Sequence, residues 1–156
     1  MKHHLLFLMV AILSCSCGNK VVQSEDVQLK TIDTYIAEVN RNSNLTSNLT
    51  EGALTDLEGF KDIGTFKYTV YFDERSRELF RIKNIEMVDE TIEENYYFQN
   101  HELVYVTSAI SGKWDKTMYT QGFKKAISRS NISDDEEKLL LKKAKRFKDA
   151  HYRIDD

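Results

Sequence analysis

Residues 66–72 read FKYTVYF, and this alternation decides the fold: Phe66, Tyr68, Val70 and Phe72 fall on one side, Lys67, Thr69 and Tyr71 on the other. A period of two marks a half-buried strand, because successive side chains leave a strand on opposite faces. Working outward, the charged run 73–77 (DERSR) reads as a turn, with Leu79–Met87 a second strand and Thr91–Gln99 a third. Asn100-His101 suits a tight hairpin leading into a fourth strand over 102–109. After Ser111-Gly112-Lys113, the stretch 114–123 is the candidate fifth. Loops this short join antiparallel neighbours, so the strands form a meander.

Three-residue loops at 75–77 and 88–90 would set the register. Phe72 then opposes Phe80 and Phe98, and Val70 opposes Ile82 and Tyr96, lining one face with large apolar side chains. The other face carries Thr69, Lys83 and Asn95 in one row and Tyr71, Arg81 and Tyr97 in the next. A guanidinium between two phenol rings is a cation–π arrangement, worth on the order of 0.5–1 kcal/mol per contact when exposed. Tyrosine and arginine are also the residue types enriched at binding hot spots. Tyr71, Arg81 and Tyr97 are therefore the candidate partner-binding residues.

A helix precedes the strands and another follows them. Leu29, Ile32, Ile36 and Val39 recur at spacings of three and four, with Ser24 as N-cap and a stop near 40–42. At the other end Ser133 and Glu136 form a capping box, acids fill the first turn and lysines the later ones. Leu140, Ala144, Phe147, His151 and Ile154 make that helix's inner stripe. Residues 43–52 (SNLTSNLTEG) read as a polar loop, and 53–64 is ambiguous, with room for a short edge strand before a turn. The expected fold class is α+β: an N-terminal helix, an antiparallel meander of four to five strands and a C-terminal helix, with both helices on one sheet face. In element order this is similar to the cystatin-like and nuclear transport factor 2-like folds.

The chain has 156 residues, 41% hydrophobic and 30% charged, which suits one folded domain. Its formal charge of −3 lacks the basic excess that nucleic-acid binding needs, so no nucleic-acid partner is expected. Proline is absent, which excludes a polyproline recognition segment. The glycines are scattered and form no phosphate-cradling loop, and no HExxH or G-x-S-x-G occurs. His101 falls in a hairpin turn and His151 on the last helix, far from any nucleophile or base pattern. Adjacent Glu93 and Glu94 point to opposite faces of a strand and cannot share a proton or a cation. No catalytic residue, metal site or cofactor is assigned, and the protein is not expected to be an enzyme.

The first 17 residues, MKHHLLFLMVAILSCSC, hold both cysteines of the chain. Lys2 supplies a positive start, and the nine apolar residues 5–13 would span about 14 Å as helix, under half of a ~30 Å hydrocarbon core. That is a secretory segment rather than a membrane span. Ile12-Leu13-Ser14-Cys15 resembles the lipobox of bacterial lipoproteins, in which a small residue precedes a cysteine that is diacylated and becomes the first residue after cleavage. Cys17 competes for the role, but it would put polar Ser14 at the aliphatic place; Cys15 fits better. The resemblance implies a signal peptide over 1–14, a lipidated tether over 15–24 and one domain over 25–156. It also implies attachment to a bacterial membrane through the lipid, and Ser16 rather than Asp after Cys15 favours the outer membrane over the inner.

The functional expectation is a membrane-anchored envelope lipoprotein that binds a protein partner, non-catalytically, through its sheet face. Two alternatives stand beside it. One is an inhibitor or immunity-type protein that blocks an enzyme with a hairpin tip such as 75–77 or 100–101. The other is a carrier with a small ligand between helix and curled sheet, using Tyr68, Tyr96, Tyr105 and Trp114.

Overall fold

A computed structural model describes residues 24–153, so the signal segment, Cys15, the tether up to 23 and Ile154 lie outside the described residues. Helix α1 (Glu25–Arg41) is followed by strands β1 (Thr46–Thr55), β2 (Asp62–Phe72), β3 (Leu79–Met87) and β4 (Thr91–Gln99). Then come β5 (Glu102–Ile110), β6 (Lys113–Thr120), β7 (Ala126–Ser130) and helix α2 (Asp134–Arg153). The α+β class holds, but the antiparallel sheet has seven strands in meander order rather than four to five. Both additional strands are edges. β1 occupies the stretch read as a polar loop, and β7 follows the candidate fifth strand. Among the described residues no helix is long and apolar enough to cross a membrane.

The central register follows the alternation. Val70 pairs with Ile82 and Ile82 with Tyr96; Tyr71 pairs with Arg81 and Arg81 with Tyr97; Thr69, Lys83 and Asn95 align beside them. Residues 88–90 form the three-residue loop that this alignment needs, and Asn100 and His101 both take positive φ, 50° and 64°, as a two-residue hairpin requires. The Phe72–Phe80–Phe98 row differs: Phe80 takes no partner on β2, and the register with β4 begins only at Arg81–Tyr97. Phe72 meets Leu79, not Phe80, because a β-bulge shifts the register between Tyr71 and Phe72. Asp73 causes the offset: its Oδ1 accepts the backbone N–H groups of Arg75 and Ser76, and its N–H donates to the Glu78 carbonyl. That longer turn starts the pairing at Leu79 and leaves Phe80 as the extra residue.

The main core lies between α2 and one sheet face. Ile82, Tyr96, Phe98, Val106 and Met118 are fully buried there against Leu140, Leu141, Ala144 and Phe147. Ring contacts fix the seat: Phe147 lies 5.0 Å from Tyr68 and 5.4 Å from Tyr96, and His151 lies 5.3 Å from Phe72. Helix α1 contacts the other face. Its Asn40 accepts a hydrogen bond from Tyr97, the strand neighbour of Tyr96, and its Asp33 accepts one from Tyr119, the neighbour of Met118. Adjacent strand residues point to opposite faces. The two helices therefore flank the sheet, correcting the expectation of a shared face.

Candidate functional site

The row expected from the sequence is present and longer than expected. Arg81 lies 5.2 Å from the Tyr71 ring centroid and 5.5 Å from that of Tyr97. Tyr97 is followed across the sheet by Tyr105 at 5.9 Å, and Tyr105 by Tyr119 at 4.7 Å, so one row crosses five strands. Polar bonds hold the cation in place. Arg81 donates from Nε and Nη2 to Oδ1 of buried Asn95, at 3.1 and 2.5 Å, and from Nη1 to Oδ1 of Asn40, at 3.1 Å. The Tyr97 hydroxyl donates to the same Asn40 oxygen at 3.0 Å. Burial raises the pKa of Tyr105 and of Tyr119, where the hydrogen bond to Asp33 adds to it, so these phenols stay neutral donors.

Helix α1 thus roofs much of the row. Tyr97 is only 5% exposed, and Tyr35 of α1 donates its hydroxyl to the Phe98 carbonyl. Tyr71 and Arg81 remain half-buried. What the sequence presents as an open aromatic face is largely the seat of a helix. The signal for this was weak: Asp33, Tyr35 and Asn40 are polar residues beside α1's apolar stripe, where solvent exposure is the ordinary reading.

The α2 face holds a second polar group that the sequence reading did not single out. Lys143 donates to both oxygens of Glu94 at 3.0 Å and to Glu86 at 3.2 Å. Asn84 bridges the same two carboxylates, and the Tyr96 hydroxyl donates to Glu94 at 2.8 Å. Burial raises the Glu86 carboxyl, but the hydrogen bonds from Asn84 and Lys143 outweigh it and hold its pKa below the ordinary value. Burial, with Glu94 alongside, pushes the Tyr96 phenol well up. The charges are satisfied and enclosed, as a structural ion pair requires. A spacing signal existed: Glu94 alternates with Tyr96 and Phe98, and Lys143 falls within the Leu140, Ala144, Phe147 stripe.

The residues of the alternative readings are dispersed or engaged. Tyr68 and Tyr96 face α2, Tyr105 lies on the α1 face, and Trp114 is exposed, so the proposed carrier set does not converge. A cleft of about 350 Å³ does open beside α2, lined by Leu54, Phe66, Tyr68, Glu86, Arg146 and Ala150 among others. The two hairpin tips considered for enzyme blocking are tied to α2. His151 Nε2 lies 3.0 Å from the Arg77 carbonyl, His101 Nδ1 lies 2.7 Å from the Tyr152 hydroxyl, and Lys148 Nζ donates to the His101 carbonyl. Both histidines serve as clasps. Among the described residues no three His, Cys, Asp or Glu side chains are grouped to hold a metal.

Comparison with protein-family models, with curated proteins and with solved structures gives no match.

Proposed function

We propose that the chain is a bacterial envelope lipoprotein, anchored through Cys15, whose body is a non-catalytic binding module for another envelope protein. The anchoring half rests on the lipobox-like Ile12-Leu13-Ser14-Cys15 placed directly after a short apolar segment. The observation that carries the binding half is the surface state of two large apolar side chains. Leu57 is fully exposed and Phe60 is 89% exposed on the turn between β1 and β2. Each forgoes about 1.5–3 kcal/mol of burial, and both stand on the same short turn, where one partner could cover the two together. By contrast the Tyr71–Arg81–Tyr97 row has its polar groups committed to α1 and Asn95, which supports reading it as bracing, with only the Tyr71 edge left for contact.

The test uses the full-length chain in the bacterium that makes it. Feeding an alkyne fatty acid should label the chain at Cys15, and Cys15→Ser should lose both the label and membrane sedimentation. A photo-crosslinking amino acid placed in turn at exposed positions should give an adduct with a second envelope protein at one or more of them. A label on Cys17, an unlabelled soluble chain, or a surface scan with no protein adduct would contradict the reading.

A further inference from the structure

In an antiparallel meander the turns alternate between two ends of the sheet. The β2–β3, β4–β5 and β6–β7 turns share one end, and α1 starts there: Gln28 and Thr31 border a cleft with Gln99, Glu102 and Gln121. The β1–β2, β3–β4 and β5–β6 turns form the other end, about 35 Å away along the 11-residue strand β2. Of the eight exposed large apolar side chains among the described residues, five lie at this far end: Leu57, Phe60 and Ile63 around the first turn, Val88 in the second and Trp114 beside the third, while Val27, Leu49 and Leu139 lie elsewhere. Val88 of the second turn lies against strand β2. A Cβ built on Gly64 would come within 3.0 Å of Val88 Cγ2.

The first turn is a built structure. Asp56 donates its N–H to the Lys61 carbonyl at 2.9 Å, accepts the Gly59 N–H on its own carbonyl at 3.0 Å, and accepts the Phe60 N–H on Oδ1 at 3.0 Å. Gly59 supplies the φ of +78° that this course needs. Leu57 and Phe60 are thus held outward before any partner arrives, which lowers the ordering cost of binding. The three turns of this end and their flanks carry the carboxylates of Asp56, Glu58, Asp62, Asp89, Glu90 and Asp115 against two lysines, Lys61 and Lys113.

We infer that this far end is the docking surface, and that its occupant is a protein with an apolar pocket rimmed by basic residues. The inference rests on the reading of the chain as a binding module and names its surface. Charge selects the occupant. Six carboxylates against two lysines would repel anionic lipid headgroups, and two such ends would repel each other, whereas a basic rim attracts them.

The experiment places a photo-crosslinking amino acid at position 57 or 60 of the full-length chain in its native cell, with position 49 on exposed Leu49 and position 71 as controls. The expected result is an adduct with a different protein from 57 and 60 but not from 49 or 71. Combining the probe at 57 with Phe60→Asp should reduce that adduct on the order of tenfold or more. Glu58→Lys with Asp89→Lys should reduce it as well, and added salt should do the same. These exposed substitutions should leave the urea midpoint unchanged, which separates lost docking from lost folding. Adducts with lipid or with a differently tagged second copy overturn the inference, as does an adduct indifferent to Phe60→Asp and to charge reversal. Protein adducts only at other positions overturn it while leaving the binding-module reading intact; none at any position overturns both.

Discussion

Leu79 has no exposed surface opposite Phe72, while the bulge turns Phe80 into a half-buried position. Emptying a packed aliphatic site costs about 2–5 kcal/mol, so Leu79→Ala should be severely destabilising. Phe80→Ala should cost roughly 1–2 kcal/mol, because water already reaches part of the ring. Urea denaturation of the two variants checks the order, and a larger loss for Phe80→Ala would place the bulge elsewhere. Alternation alone points to the opposite ranking. It locates every pair from Thr69 to Tyr71 correctly, since each strand must keep Val70, Ile82 and Tyr96 on the buried side. It fails at the turn, where the carboxylate of Asp73 gathers the Arg75 and Ser76 amides and resets the count by one. Turn chemistry from one side chain outweighed the pattern there.

At the scale of elements, the two helix starts differ. Ser24 occupies the N-cap of α1 without a side-chain capping bond, and Glu25 and Asp26 supply only favourable charge. In α2 the capping box closes: Glu136 accepts the Ser133 N–H at 2.9 Å, and Ser133 Oγ accepts the Glu136 N–H at 3.3 Å. Lys116 of β6, and then Ser133, hold the Glu136 carboxyl at about 2 against an ordinary 4.5. A carboxyl whose pKa is depressed in the folded state contributes stability that is present above 4.5 and lost as pH falls through about 2. The stability gap between the native chain and Glu136→Gln should therefore shrink from pH 5 to pH 2, measured by urea denaturation at each pH. A gap constant with pH would mean that Glu136 acts without its charge. Both helices were legible because capping residues and apolar spacing agree in each. Strands β1 and β7 were not. β1 is exposed along most of its length, and the ladder to β2 holds it, so its side chains carry no burial pattern to read.

On the scale of the whole molecule, the sheet divides its tasks between two faces. One packs α2 through apolar side chains and a satisfied Lys143–Glu94–Glu86 group; the other seats α1 through Asn40, Tyr35 and Asp33. The apolar face was legible as soon as the alternation was seen. The second helix seat was not, because it depends on hydrogen bonds such as Asn40–Arg81 between residues 41 positions apart, each ordinary on a solvated surface. The candidate row was therefore located correctly and its covering missed. The exposed end with Leu57 and Phe60 went unread because 53–64 gave no clear element.

Arg81, Asn95 and Tyr97 clamp α1 to the sheet through Asn40. Native-state hydrogen exchange on Arg81→Ala tests this clamp most directly. Losing the guanidinium removes the donors to Asn95 and Asn40, at a cost of about 1–3 kcal/mol. The C-terminal half of α1 should exchange roughly tenfold faster or more, while α2 keeps its protection. Unchanged exchange in α1, or equal losses in α1 and α2, would contradict it.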